Sequence, residues 1–207
     1  MEGYAARIST RSGTHPNPIR FIDPTGLWMC MGSGEECGRI KSALAKVREA
    51  ANRFKKGSKR RAALEAILAF YGDFGVNNGV TVDFDNSLKY ISGTVHEPDG
   101  STVITFNLQR ADERFGPGPG GSNLATEVAA ATAHEGVHGL QFEATQWIWD
   151  EAMVNEIQAY TIMSYVNQGL GVNSAYGVWT IQKGFDPGRV DAYAVGSAEG
   201  WCAGRCK

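Results

Sequence analysis

No run in this 207-residue chain is apolar and long enough to cross a bilayer, and Met1-Glu2-Gly3-Tyr4 offers no apolar core of a secretion signal. Export would therefore require travel inside something larger. Excess charge is also scarce. Twenty Lys and Arg against 22 Asp and Glu leave −2, which gives no general pull towards nucleic acid or anionic lipid. The one basic cluster, Lys55, Lys56, Lys59, Arg60 and Arg61 around Gly57-Ser58, reads as a solvated junction between two helices. Cysteine is confined to the edges, at Cys30, Cys37, Cys202 and Cys206. Neither spacing is the C-x2-C of a structural zinc site, and three pairings stay open. Two disulfides would suit an oxidising compartment, four thiols a cytosol. No internal repeat is visible, and the length fits one globular domain plus a tail.

Only four histidines are present, and two fall in His134-Glu135-Gly136-Val137-His138. On a helix, residues four apart share a face, so His134 and His138 can aim both imidazoles at one metal ion. Glu135 sits about 100° round the helix, where a general base can reach metal-activated water. Upstream, Leu124, Val128 and Ala131 continue the stripe of an amphipathic helix, with Ser122 or Asn123 as its N-cap. A lone histidine on such a face is ordinary core; the i, i+4 pair with Glu between points to zinc. Catalytic zinc takes three protein ligands and leaves a fourth position for water.

The third ligand must come from elsewhere. From Trp149 to Tyr160 a second helical pattern appears, and Glu156 falls within its apolar stripe of Ala152, Met153, Ala159, Tyr160, Met163 and Val166. A carboxylate on a core face is costly unless paired or bound to metal. Glu151, the competing acid, points about 140° away and has a helix-start role of its own. Glu156 following the H-E-x-x-H at this distance, within Asn155-Glu156-x-x-Ala159, resembles the gluzincin metallopeptidases. That resemblance spans roughly residues 121–168. It implies a zincin-like α+β fold with Zn²⁺ held by His134, His138 and Glu156, and Glu135 as catalytic base. The aspartate that often follows in that group is replaced here by Tyr160 and Thr161.

A second resemblance lies at the start. Asn17-Pro18-Ile19-Arg20-Phe21-Ile22-Asp23-Pro24-Thr25-Gly26-Leu27 is similar to the N-P-x-x-x-x-D-P-x-G-L junction closing the core of Rhs/YD-repeat polymorphic toxins. It implies two parts: residues 1–27 as the tail of an encapsulating repeat core, and 28–207 as a toxin domain freed by cleavage near Leu27–Trp28. It further implies an effector delivered into the cytosol or periplasm of a target cell, a cognate immunity protein, and a protein or peptide substrate.

Elsewhere the pattern is coarser. Residues 1–36 read as an extended arm without a core of its own. Ile40, Leu44, Val47, Ala51 and Phe54 mark one helix; Leu64, Ile67, Leu68 and Tyr71, ended by Gly72, mark another. Three strands are expected at 80–84, 88–95 and 102–108, forming a small antiparallel sheet, with Glu97-Pro98-Asp99-Gly100 as a hairpin turn. The strand 102–108 is the expected edge for an added substrate strand. Gly116–Gly121 is a flexible break that can serve as a spacer or a lip on the cleft. Beyond about Asn167 no period is visible. Tyr165, Tyr176, Arg189 and Tyr193 are candidates for a donor to the reaction's oxyanion, and His96 reads as solvent-facing. Three rivals remain: a zinc-binding interaction module or degenerate peptidase, which needs the ligands but not Glu135; a metal-dependent amidase acting on cell wall; and a nuclease, disfavoured by the missing basic face.

Overall fold

The computed structural model describes residues 28–72, 78–116, 124–141 and 149–202. The junction Asn17–Leu27, the break at 117–121, the caps Ser122 and Asn123, and Cys206 lie outside the described residues.

Six helices and two small sheets make an α+β architecture among the described residues. Strand β1 (Met29–Cys30) leads into α1 (Gly34–Arg53). Ser33 starts that helix with a capping box: its hydroxyl accepts from the Glu36 amide at 3.2 Å, and the Glu36 carboxylate accepts from the Ser33 amide at 2.7 Å. Ile40, Val47, Ala50 and Ala51 form its buried face. The chain turns at Gly57, in the left-handed region at φ 79°, and Ser58 caps α2 (Lys59–Tyr71). The basic residues do sit at this junction, where the Arg60 guanidinium lies 5.9 Å from the Phe54 ring centre and 5.7 Å from that of Tyr165.

Strands β2 (Val80–Phe84), β3 (Ser92–His96) and β4 (Thr102–Phe106) follow. The β3–β4 turn is the expected one. Gly100 takes φ 88° and its amide donates to the Glu97 carbonyl, while Asp99 accepts from the Ser101 amide and hydroxyl.

Several expectations are corrected. The sheet's order is β1-β2-β4-β3, with β1, β2 and β4 parallel and only β3 antiparallel, so it is mixed. The β3–β4 hairpin folds outward, leaving β4 free to pair β2 in parallel register. As a result β4 is interior, and β3 is the edge beside the motif helix. Next, residues 28–36 are not a coreless arm, because Trp28 and Cys30 are buried in the core. Thirdly, β3 begins at Ser92 rather than at 88. Finally, the third strand ends at Phe106, since Asn107 caps a short helix α3 (Leu108–Phe115) by accepting from the Arg110 amide at 2.8 Å.

The H-E-x-x-H lies on α4 (Leu124–Gln141), and Glu156 on α5 (Trp149–Leu170). α4 is not amphipathic: every residue from Thr126 to Gly139 is buried. It runs through the centre, packed by α1, α2, α3, α5 and β3. Gly136 and Gly139 let α2 approach that closely; a Cβ at Gly136 would stand 2.7 Å from Ile67 Cγ2. After α5 a two-stranded hairpin, β5 (Trp179–Thr180) and β6 (Gly184–Phe185), precedes α6 (Pro187–Cys202), a helix that the sequence pattern does not announce.

Cys30 is disulfide-bonded to Cys37, which ties β1 to α1. Closing so short a loop, of separation 7, is worth about 2.5 kcal/mol by loop-closure entropy. Reduction, or the Cys30→Ser/Cys37→Ser pair, is therefore expected to lower the unfolding free energy by that amount, read as a lower urea midpoint. A midpoint that does not move would contradict it.

Candidate metal centre

Two helices bring three donors together. His134 and His138 leave α4 on one face, their Nε2 atoms 3.1 Å apart and their rings edge to face. Glu156 arrives from α5, with Oε2 3.4 Å from His134 Nε2 and Oε1 3.5 Å from His138 Nε2. All three side chains are buried.

Those separations exceed a good hydrogen bond, and Glu156 Oε2 has no hydrogen-bond partner. Two imidazole nitrogens facing each other beside an unsatisfied carboxylate oxygen make a poor self-sufficient arrangement. They make a good metal cage. Four ligands at ~2.0–2.1 Å around a tetrahedral ion stand ~3.3 Å from one another, close to the three separations seen. The fit to a metal ion thus rests on donor chemistry and spacing together.

The electrostatics agree. Burial alone would raise Glu156, but the two imidazoles outweigh it and draw its pKa down to about 2. Burial would lower His138; the Glu156 carboxylate, with smaller help from Glu135 and Gln141, holds it above its ordinary value.

His138 has an orienting partner that sequence reasoning did not find. Gln141, one turn on, accepts from Nδ1 at 3.0 Å, which assigns the proton there and leaves the Nε2 lone pair to the site. Gln141 is itself held, donating to Gln158 Oε1 at 2.8 Å and to the Asn155 carbonyl at 3.2 Å. His134 is packed instead. Its Nδ1 has no partner, and the Tyr160 ring stands edge-on at 4.6 Å between centres.

Glu135 faces the edge strand. Ser92 Oγ donates to its Oε1 and Thr94 Oγ1 to its Oε2, each at 2.7 Å, and Thr94 also reaches the Glu135 carbonyl at 3.2 Å. Two hydroxyls replace the water a buried carboxylate would otherwise lack, and they fix its direction. The signal for them in the sequence is only i, i+2 alternation on a strand, which singles out no residue before the pairing is known.

The donor candidates separate. Tyr176 and Tyr193 join the aromatic wall beside the centre, their ring centres 6.0 and 5.7 Å from that of Tyr160. Tyr165 packs on Phe54 at the α1–α2 junction, and Arg189 is exposed near the start of α6. His96 is exposed, as expected.

Glu151 is also exposed, on another face of α5 from Glu156. Glu156→Ala is expected to weaken zinc binding by more than the roughly 10–100-fold that losing an orienting partner costs. Glu151→Ala should leave zinc binding within a few-fold. Chelator competition measures both, and the reverse order would remove Glu156 from the ligand set.

No protein-family model matches the chain, nor does any curated protein or solved structure, so function rests on the site itself. Among the described residues His134, His138 and Glu156 form a buried group able to hold a metal ion, and no helix is long and apolar enough to cross a membrane.

Proposed function

We propose that this chain is a zinc-dependent metallopeptidase of the zincin type, working as the toxin domain behind an Rhs-like junction. The observation that carries the reading is the convergence of His134, His138 and Glu156 on one buried point, with the buried Glu135 near enough to act on the His138 charge. When bound, zinc would supply a Lewis acid that polarises a scissile carbonyl and makes water acidic near neutrality. Glu135 takes the proton of the attacking water and delivers it to the leaving amine. Ser92 and Thr94 hold that carboxylate still while it works. Gln141 keeps the His138 lone pair turned towards the site. β3, as the sheet edge beside α4, offers backbone groups to an extended peptide.

The junction motif supports delivery from inside a repeat shell into a target cell, release near Leu27–Trp28, and an immunity protein that blocks the cleft. One observation favours a structural metal centre as the second reading: both oxygens of Glu135 are already engaged by hydroxyls. The experiment is expression in bacterial cytosol and in periplasm, followed by proteomic mapping of new protein termini. New termini in either compartment support the peptidase; their absence from both, with toxicity intact, redirects the reading to a non-protein amide such as that of the cell wall.

A further inference from the structure

Glu127 is a buried carboxylate that the proposed chemistry does not use. It is 1% exposed, and it lies seven residues before His134, so it shares the metal-binding face of α4 about 10 Å further along. Its Oε1 accepts from the Ala175 amide at 3.0 Å and faces Asn167 Nδ2 at 3.4 Å. Burial pushes its pKa up to about 7 against the opposing pull of those two donors and of Arg114. A side chain this costly to bury needs a reason, and core packing alone would prefer leucine.

Asn167 stands in the last turn of α5, and Ala175 in the segment that leaves it. Gly171, at φ 70°, ends the helix, with its amide on the Gln168 carbonyl and that of Val172 on the Asn167 carbonyl. A turn then runs from Ser174 to Gly177: the Gly177 amide donates to the Ser174 carbonyl at 3.0 Å, and Gly177 takes φ 69°. Ala175 and Tyr176 are its central residues. While the Ala175 amide points in at Glu127, the Tyr176 ring packs against Tyr193 at 5.1 Å and Tyr160 at 6.0 Å. Phe115 (5.9 Å) and the Arg114 guanidinium (4.9 Å), both from α3, pack on it as well. Tyr160 in turn stands on His134. The path from Glu127 to the centre is therefore continuous: carboxylate, turn amide, Tyr176, Tyr160, His134.

We propose that Glu127 is a positioning residue, latching the Ser174–Gly177 turn to the metal helix so that Tyr176 is held in the aromatic wall beside His134, where it meets substrate. Substrate contact rests on the peptidase reading; the latch does not. Glu127 contributes an acceptor rather than a ligand, so the acceptor is what its replacement must preserve.

The test deletes the latch from its donor side. Ala175→Pro removes the amide at the second residue of a turn, where proline is favoured, and puts ring carbon in place of the amide hydrogen, so the Glu127 contact is lost. Glu127→Gln retains an oxygen acceptor and serves as the rescue. 3-Fluorotyrosine at Tyr176 reports its surroundings by fluorine NMR in the zinc-loaded protein, and chelator competition reports zinc affinity. The expected result is a shifted or broadened Tyr176 resonance in Ala175→Pro, a near wild-type resonance in Glu127→Gln, and zinc affinity within about threefold in both. Where peptide turnover is measurable, Ala175→Pro should lose about tenfold in kcat/KM, the size of one hydrogen bond. An unmoved Tyr176 resonance in Ala175→Pro, or zinc affinity falling in parallel, would overturn the latch. A wild type without turnover would instead overturn the peptidase reading, while the fluorine signal still decides the latch.

Discussion

Glu135→Gln protein is expected to fold, to bind zinc within a few-fold of wild type, and to lose about 10²–10⁴ of its rate of generating new termini. Gln is isosteric, and its carbonyl oxygen can still accept from one of the two hydroxyls, Ser92 or Thr94, that hold the native carboxylate. Its amide cannot take a proton from water. The candidate metal donors are the side chains of His134, His138 and Glu156, none of which the substitution touches. Full activity in this variant would end the proposed mechanism and favour the structural-metal reading. Loss of zinc with loss of activity would show Glu135 to be part of the cage.

Replacing His134 and His138 together by Ala should abolish stoichiometric zinc in elemental analysis, even after loading. Zinc at a thousandfold excess over Kd stabilises a native protein by about 4 kcal/mol, roughly 8–16 °C in Tm at this chain length. Wild type and Glu135→Gln should show that gain, and the double variant none. A double variant still stabilised by zinc would place the ion elsewhere.

Acidity acts on the same groups with a definite sign. In chelated protein the lowered pKa of Glu156 contributes stability present above its unfolded value and lost as pH falls towards about 2. The raised pKa of His138 contributes stability fully present below its unfolded value and lost as pH rises through the folded one. Protons thus compete with metal for His138, and zinc affinity should rise with pH between about pH 5 and 8.

The candidate metal site was legible because its signal is local. His134 and His138 are set four apart by helix geometry alone, and Glu156 stands out as a charge within an apolar stripe, so no tertiary knowledge is needed to pair them with a metal. The turn at Glu97–Gly100 belongs to the same class, decided by interactions within three or four residues. The α6 helix stayed hidden because its glycines and scattered small residues give no apolar period, and only packing on α5 makes it worthwhile.

Residue spacing alone set the chemistry of the candidate site: which side chains share a face, and with what charge. Tertiary structure alone decided which strand is the edge. A hairpin of given sequence can add to a sheet from either side, and packing against α4 put β3 outside and β4 within. The same choice brought Ser92 and Thr94 to Glu135 across more than forty residues, and folding of the chain end brought Ala175 to Glu127. Short-range geometry is written in residue spacing. Contacts closed over long loops depend on the sum of weak packing energies over the whole core, which no local pattern contains.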